Sequence, residues 1–268
     1  YFVNISDATA SQFGARSVAV PRTVAGLCHA LKSYGTLDLA TVIEPAIRAA
    51  EHGVPADADF VEAAEELRQT LDEHPQLQSM AEPLWHQLCR NGQVKIGDVI
   101  RQPDQARALK LIARDGPEAF YRGSIAAAIH TVMQTHGGAL NANDLRSYAV
   151  REEQPLRSDF REYEVFAMPP PSSGGVAMLQ TLGILERRWD ELSTMWPNSA
   201  AYIHLVCEAF KHAFADRAEW LADPQFVDVP TDHLLDYEYL NELAERVNID
   251  HTLDPFSYGS IVSSENPA

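Results

Sequence analysis

The chain has 268 residues, 46% of them hydrophobic and 22% charged, with 38 acidic against 21 basic side chains and a formal charge of -17. This is the composition of an ordinary globular protein long enough to bury a sizeable core, as one large domain or two small ones. The acidic balance works against nucleic acid, whose phosphates need clustered Lys and Arg, and against docking on anionic lipid.

No apolar run approaches the roughly 20 residues that span a bilayer. Cys28, Cys89 and Cys207 lie far apart with no CxxC spacing. Neither a disulfide framework nor a zinc cluster is expected, and Cys28 and Cys207, inside helix-like apolar patterns, are expected as buried free thiols. The first residue is Tyr1 and no signal-peptide pattern precedes the fold, which fits a processing event or a further segment upstream.

Along the chain, the apolar pattern predicts a short strand over 17–20 that ends at Pro21. Helices follow over 24–34, closed by Gly35, and over 39–52, closed by Gly53. In the second of these Val42, Ile43, Ala46, Ile47 and Ala50 share one face. A more polar helix is expected over 59–73. The stretch 74–102, punctuated by Gly92 and Gly97, reads as less regular. Helices are expected next over 105–115 and over 124–136, the latter with Ser124 as N-cap and Gly137-Gly138 as its stop. Asn141 to Asp144 opens a short turn of helix.

The character then shifts to two strands, over 154–160 and 163–168, joined by a tight polar turn. Helices follow over 176–189, over 198–221 with Asn198 or Ser199 as N-cap, and over 235–247. Residues 250–268, rich in Ser, Asn, Asp and Pro, read as a mobile or poorly packed tail. No repeat or linker is visible, so a single domain over 1–268 is expected. Few short strands serve many helices, which suggests that further strands lie in another chain or segment.

The candidate chemistry is sparse. Ten histidines are present, but there is no HExxH, and no metal site is expected. Glu208 and His212 stand four apart on one helix face, which fits a metal pair or, more simply, a surface helix pair. Ser172-Ser173-Gly174-Gly175 fits an anion-binding nest at a helix N-terminus. It equally fits a stiff strand-to-helix turn, in which prolines 169–171 hold extended backbone, serines cap and glycines admit close packing. Both GxxxxGK[ST] and GxGxxG are missing, and no cofactor is expected. No GxSxG elbow exists, so neither serine has a visible base. Ala209, Phe210, Ala213 and Phe214 form an apolar stripe. Asp216 and Arg217 near the helix end suggest a buried ion pair between helix and sheet.

Several stretches taken together resemble the large subunit of the gamma-glutamyltransferase (gamma-glutamyltranspeptidase) family. They are GARSVAVP at 14–21, TVAG at 23–26, YGTL at 34–37, EPAIRAAEHG at 44–53 and GPEAFYRG at 116–123. Further on stand Gly137-Gly138, DLRSY at 144–148, MPPPSSGG at 168–175, EAFKHAFADR at 208–217 and DPQFVDV at 223–229. The stretches follow the family's order with matching spacing from Gly14 to Val229.

The resemblance implies an N-terminal nucleophile (Ntn) hydrolase of the α/β (α+β) class, a four-layer αββα sandwich of which this chain supplies the helix-rich large-subunit part. It implies a precursor that cleaves itself, and a partner small subunit whose N-terminal Thr is the nucleophile. That Thr hydroxyl attacks a small-molecule gamma-glutamyl amide, its own α-amine acting as base. Water or an amino acid then takes the acyl group. Backbone N–H groups stabilise the tetrahedral intermediate. The family's Thr-led cleavage run and its carboxylate-binding Arg do not occur here, and none of Arg16, Arg22 or Arg48 matches the latter's motif.

No catalytic residue is therefore assigned to this chain. Ser172, Ser173, Gly174 and Gly175 are carried as a border of the substrate pocket. Residues 250–268 would precede the cleavage site. The resemblance further implies a periplasmic or secreted enzyme. Arg22 stands where the family usually has Gly, which leaves open related acylases acting on cephalosporin side chains or polyglutamate, and a non-catalytic family member.

Overall fold

In the computed structural model, residues 10–259 are described. The chain divides into two compact units, residues 1–151 and 152–268.

The first unit is a set of helices. Gly14, at φ 85°, starts a single 3-10 turn over Ala15–Ser17, and Ser17 Oγ and N both bond Gly14 O. The strand expected over 17–20 does not form: Ser17 ends this turn, and residues 18–20 belong to no helix or strand and pair with no strand among the described residues. Helices α1 (Thr23–Tyr34) and α2 (Leu39–His52) follow, the latter capped by Asp38, which accepts from Thr41 N at 2.9 Å. α3 (Ala58–Glu73) is capped in the same way by Asp57.

The stretch expected to be irregular holds a further helix, α4 (Gln78–Gln87), which tolerates Pro83 within it. The proline removes a single i to i-4 bond there. α5 (Pro103–Asp115), α6 (Glu118–Tyr121), α7 (Ser124–His136) and α8 (Ala142–Ser147) complete the unit. The N-cap of α7 is Gly123; Ser124 is already its first helical residue and makes no cap bond. α8 carries a full capping box, Asn141 bonding backwards and forwards with Asp144. β1 (Val54–Pro55) and β2 (Val99–Ile100) form a two-residue antiparallel pair.

The second unit opens with the expected hairpin, β3 (Leu156–Phe160) and β4 (Tyr163–Ala167), paired antiparallel from Leu156↔Ala167 to Phe160↔Tyr163. α9 (Ser173–Arg187) follows, starting three residues before the expected position, then α10 (Trp189–Leu192). α11 (Ala200–Trp220) is the longest helix; Ser199 is its N-cap, accepting from Tyr202 N at 3.2 Å. α12 (Thr231–Leu234) and α13 (Tyr237–Arg246) close the unit.

α9 and α11 pack against each other, with α13 against α9. Their core is Val176, Ile184, Leu205, Ala209, Leu234 and Leu243, all essentially without exposed surface. α11 is apolar on two faces. Leu205, Ala209 and Ala213 are buried, whereas Ile203, Phe210 and Phe214 lie on the other side and remain open, Phe210 at 45% and Phe214 at 53% exposure. The stripe read from the sequence as one face therefore splits into a buried alanine row and an open phenylalanine row.

Of the stretch expected to be a poorly packed tail, residues 250–259 fold back along α11 (Tyr258 Oη to Glu208, Gly259 N to His212), and 260–268 lie outside the described residues. No helix among the described residues is long and apolar enough to cross a membrane.

Candidate functional site

Residues 168–175 connect β4 to α9. Ser172 is the N-cap of α9 in extended conformation, but its side chain makes no cap bond; Ser172 N donates instead to Pro169 O at 3.2 Å. The Pro170–Pro171 peptide is cis. Ser173 Oγ accepts from Arg217 Nε at 2.8 Å, tying the start of α9 to the end of α11.

Gly175 is buried, and a Cβ built on it would lie 2.0 Å from Met168 O. Gly174 is open, its nearest neighbour being Ser172 Oγ at 3.9 Å from such a Cβ. One of the two glycines therefore admits close backbone packing, and the other does not need to. The four expected border residues stand together at one end of α9, and Arg217 is the charged side chain that reaches them.

Ser173→Ala removes the acceptor of one exposed, charge-assisted hydrogen bond. It is expected to cost about 1 kcal/mol, seen as a small shift of the unfolding midpoint; an unchanged midpoint would remove the Arg217 bond from the account of this turn.

The polar groups of α11 are arranged differently from the sequence expectation. Glu208, His212 and Asp216 are not a surface set: their exposures are 1%, 0% and 1%. They recur every fourth residue, so they form one row on the buried side of the helix.

Glu208 accepts from Thr252 Oγ1 at 2.8 Å and Tyr258 Oη at 2.7 Å, and pairs with Lys211. Burial pushes its carboxyl up, but the bonds from Lys211, Tyr258 and Thr252 outweigh that and hold it below the usual carboxylate value. His212 Nδ1 accepts from Gly259 N at 3.1 Å, so its proton sits on Nε2, which is buried without a partner. Desolvation, helped by the nearby Arg246 and Lys211 charges and opposed by Asp216 and Glu208, lowers the imidazole to about 4. Asp216 accepts at 2.6 Å from both Gln180 Nε2 and Tyr239 Oη.

Neighbouring Asp216 and Arg217 face opposite ways. Asp216 is buried and accepts from Gln180 and Tyr239, and Arg217 is exposed and donates to Ser173. No group of three or more His, Cys, Asp or Glu side chains among the described residues is arranged to hold a metal ion.

The sequence does not reveal the row as such: Glu208 and His212 fit a surface helix pair, and Asp216 fits an ion pair with a separate role. The signal available was its regular spacing among residues destined for burial, with Leu205, Ala209 and Ala213 interleaved.

The second unit's hairpin and helix pair, with the helical first unit, match a solved Ntn-hydrolase architecture. The structure of gamma-glutamyltranspeptidase from Pseudomonas nitroreducens, complexed with L-DON, has a TM-score of 0.86 at 32% identity, covering 96% of this chain and 74% of that one. The fold is thus the α/β Ntn-hydrolase fold that the resemblance implied, represented here by its helix-rich part. Residues 1–267 match the family model described as gamma-glutamyltranspeptidase, and the chain belongs to that family.

Among individual relatives, the acylase ACY 1 proenzyme of Pseudomonas sp. (strain V22) is 40% identical over 230 residues, 85% of this chain and 40% of that protein. The glutathione hydrolase proenzyme of Escherichia coli (strain K12) is 37% identical over 235 residues, 85% of this chain and 38% of that protein. The chain therefore spans about two fifths of the length of these relatives.

Proposed function

We propose that this chain is part of the large subunit of an autoprocessed gamma-glutamyl transferase or hydrolase, both units belonging to one Ntn-hydrolase domain. The enzyme cleaves gamma-glutamyl amide bonds of glutathione-like donors. The observation that carries this reading is the family match over residues 1–267, supported by relatives whose names mark them as proenzymes.

The nucleophile is the N-terminal Thr of a small subunit from the same precursor, activated by its own α-amine. This chain contributes scaffold and a pocket border at Ser172, Ser173, Gly174 and Gly175. Two features support a missing partner layer. The open row of Ile203, Phe210 and Phe214 gives α11 a second apolar face, which a helix of a finished protein buries. The β3–β4 hairpin pairs with no third strand among the described residues, so its outer edges retain hydrogen-bonding capacity. Strands of the small subunit satisfy both and complete the four-layer sandwich. The acidic composition and the family's habit suit a periplasmic or secreted enzyme.

A second reading is favoured by the identity to the acylase relative, which slightly exceeds that to the glutathione hydrolase. In it the same Thr accepts a different acyl group, such as a cephalosporin side chain or polyglutamate. Mass spectrometry and N-terminal sequencing of the purified full-length protein are expected to show a second polypeptide beginning with Thr. The preparation is expected to release p-nitroaniline from a gamma-glutamyl anilide. A second polypeptide without anilide turnover, but with acylase turnover, would select the acylase. A single unprocessed chain inactive on both would leave a non-catalytic family member.

A further inference from the structure

After α13 the chain returns along α11 over residues 250–259. Of these only Gly259 is buried, and Phe256 in the middle is 96% exposed. Apolar burial therefore does little to hold the segment in place. The polar bonds that hold it to α11 and α13 end on ionisable side chains. Thr252 and Tyr258 donate their hydroxyls to Glu208 at 2.8 and 2.7 Å, and Lys211 bonds Thr252. Gly259 N donates to His212 Nδ1 at 3.1 Å. From α13, Arg246 donates to Gly259 O at 2.7 Å and to Ser257 O.

His212 is the member whose charge decides whether the arrangement can exist. To accept at Nδ1 it must be neutral. An imidazolium carries a hydrogen on both nitrogens, and would set a donor against the Gly259 N–H. The groups facing the ring are Glu208, Lys211 and Asp216 from its own helix, Arg246 from α13, and Tyr258 from the segment itself, whose ring stands 5.0 Å away edge-on. Asp216 is engaged in turn by the neutral side chains of Gln180 on α9 and Tyr239 on α13. The facing cations and carboxylates offset one another, and the exclusion of water is the largest influence on the ring. Lifting the segment takes Tyr258 and Gly259 off the imidazole, admits water to Nδ1 and returns the ring to its ordinary basicity.

We propose that residues 250–259 are an acid-released strap, which lifts from α11 as His212 takes up a proton while the core of α9, α11 and α13 stays folded. One proton passes from solvent to His212 Nδ1, and the hydrogen bond from Gly259 N is given up. The lifted form binds that proton below the ordinary value of 6.5, the closed form only below about 4. Between those values the equilibrium for lifting rises by up to about tenfold for each unit of pH lost, roughly 300-fold over the window. Glu208, held below its ordinary 4.5 in part by the strap's two hydroxyls, adds to the effect only as the pH falls through that value. Lifting uncovers Glu208 and His212 and frees Thr252 and Tyr258 for other partners, so the acidity of the surroundings is converted into exposure of the polar row of α11. The inference stands on the strap's own contacts, whichever reaction the protein performs.

The test is hydrogen–deuterium exchange on the full-length protein between pH 7 and 4.5, each rate divided by the intrinsic rate at that pH. Protection of the Gly259 amide is expected to fall by up to about tenfold per pH unit below 6.5. Amides in the buried stretch of α11 around Leu205 and Ala209 are expected to stay at least about tenfold better protected throughout, because they open only with the whole unit. His212→Gln keeps an acceptor for Gly259 and removes the proton, and is expected to flatten the pH dependence at Gly259. Tyr258→Phe removes one bond to a charged group, and is expected to lower protection there about tenfold at every pH with the slope retained.

Protection at Gly259 that does not change with pH in the parent would overturn the proposal. So would equal protection at Gly259 and in α11, since release would then be unfolding of the unit. An unaltered slope in folded His212→Gln would also overturn it, by assigning the titration to another group. If His212→Gln fails to fold, the parent's own comparison of Gly259 with α11, together with Tyr258→Phe, still decides.

Discussion

Gly175→Ala is expected to lower the stability of the protein by about 3 kcal/mol or more, the upper end of the range for overpacking. The added methyl would stand 2.0 Å from Met168 O and 2.9 Å from Met168 C and N. These are backbone atoms at the end of the hairpin strand, and they cannot swing aside as a side chain would. Relief requires α9 to move off β4, and α9 carries Val176, Ile184 and Leu185 of the second unit's core. Gly174→Ala, one residue earlier, is the matched control. Space is open there, so the gain in helix propensity is expected to leave stability unchanged or raise it by up to about 1 kcal/mol. Denaturant unfolding of both variants in the full protein checks the pair; equal midpoints would remove the close approach of strand and helix from the account.

The second large effect is on acid stability. His212 is neutral in the folded protein down to about pH 4, whereas in the unfolded chain it protonates around its ordinary value of 6.5. Between those two values the unfolded state binds the extra proton, so stability falls as the pH falls and levels off for this group below about 4. The loss across the window is on the order of 3 kcal/mol. Glu208, whose carboxyl is held below its ordinary value of 4.5, adds a separate loss that begins only as the pH drops through that value. His212→Gln keeps an acceptor for the Gly259 N–H and removes the titration. Midpoints measured from pH 7 to 4 are expected to converge between parent and variant as the pH falls; a constant separation would assign the acid sensitivity elsewhere.

Local structure was legible wherever local chemistry decides it. α2 begins after Asp38 and ends at Gly53 as its apolar spacing and punctuation require, and the Asn141–Asp144 box opens α8 from four adjacent residues. The hairpin over 156–167 follows from two apolar runs flanking a polar turn. Legibility failed where the deciding partner is distant or missing. Val18 to Val20 has strand composition but pairs with no strand among the described residues, and the turn made by Gly14 with Ser17 ends just before it. α4 was hidden by Pro83, whose position in the helix costs only one backbone bond.

The candidate site shows the same division. Its turn at 168–175 was visible as a turn, because prolines and glycines act on their own backbone. The row of Glu208, His212 and Asp216 is not visible as a row in the sequence, because most of its partners lie 23 to 50 residues away, at Gln180, Tyr239, Thr252, Tyr258 and Gly259. A family resemblance supplied the reaction class that the residues themselves do not contain.

The division into two units has a bearing on how the protein is made. Each is a continuous stretch, ending and beginning near residue 151, and among the described residues each has a core cluster from its own stretch: Ala15, Tyr121, Met133 and Leu145 in one, Val176, Leu205, Leu234 and Leu243 in the other. A ribosome adds on the order of ten residues per second and releases the N-terminal part first. The helices of the first unit therefore have on the order of ten seconds to collapse before the second core is fully synthesised. At that point Phe210 and Phe214 of α11 and the outer edges of the β3–β4 hairpin are still open. Open apolar side chains and unpaired strand edges favour aggregation late in translation, where chaperone capture of the emerging polypeptide would be most useful.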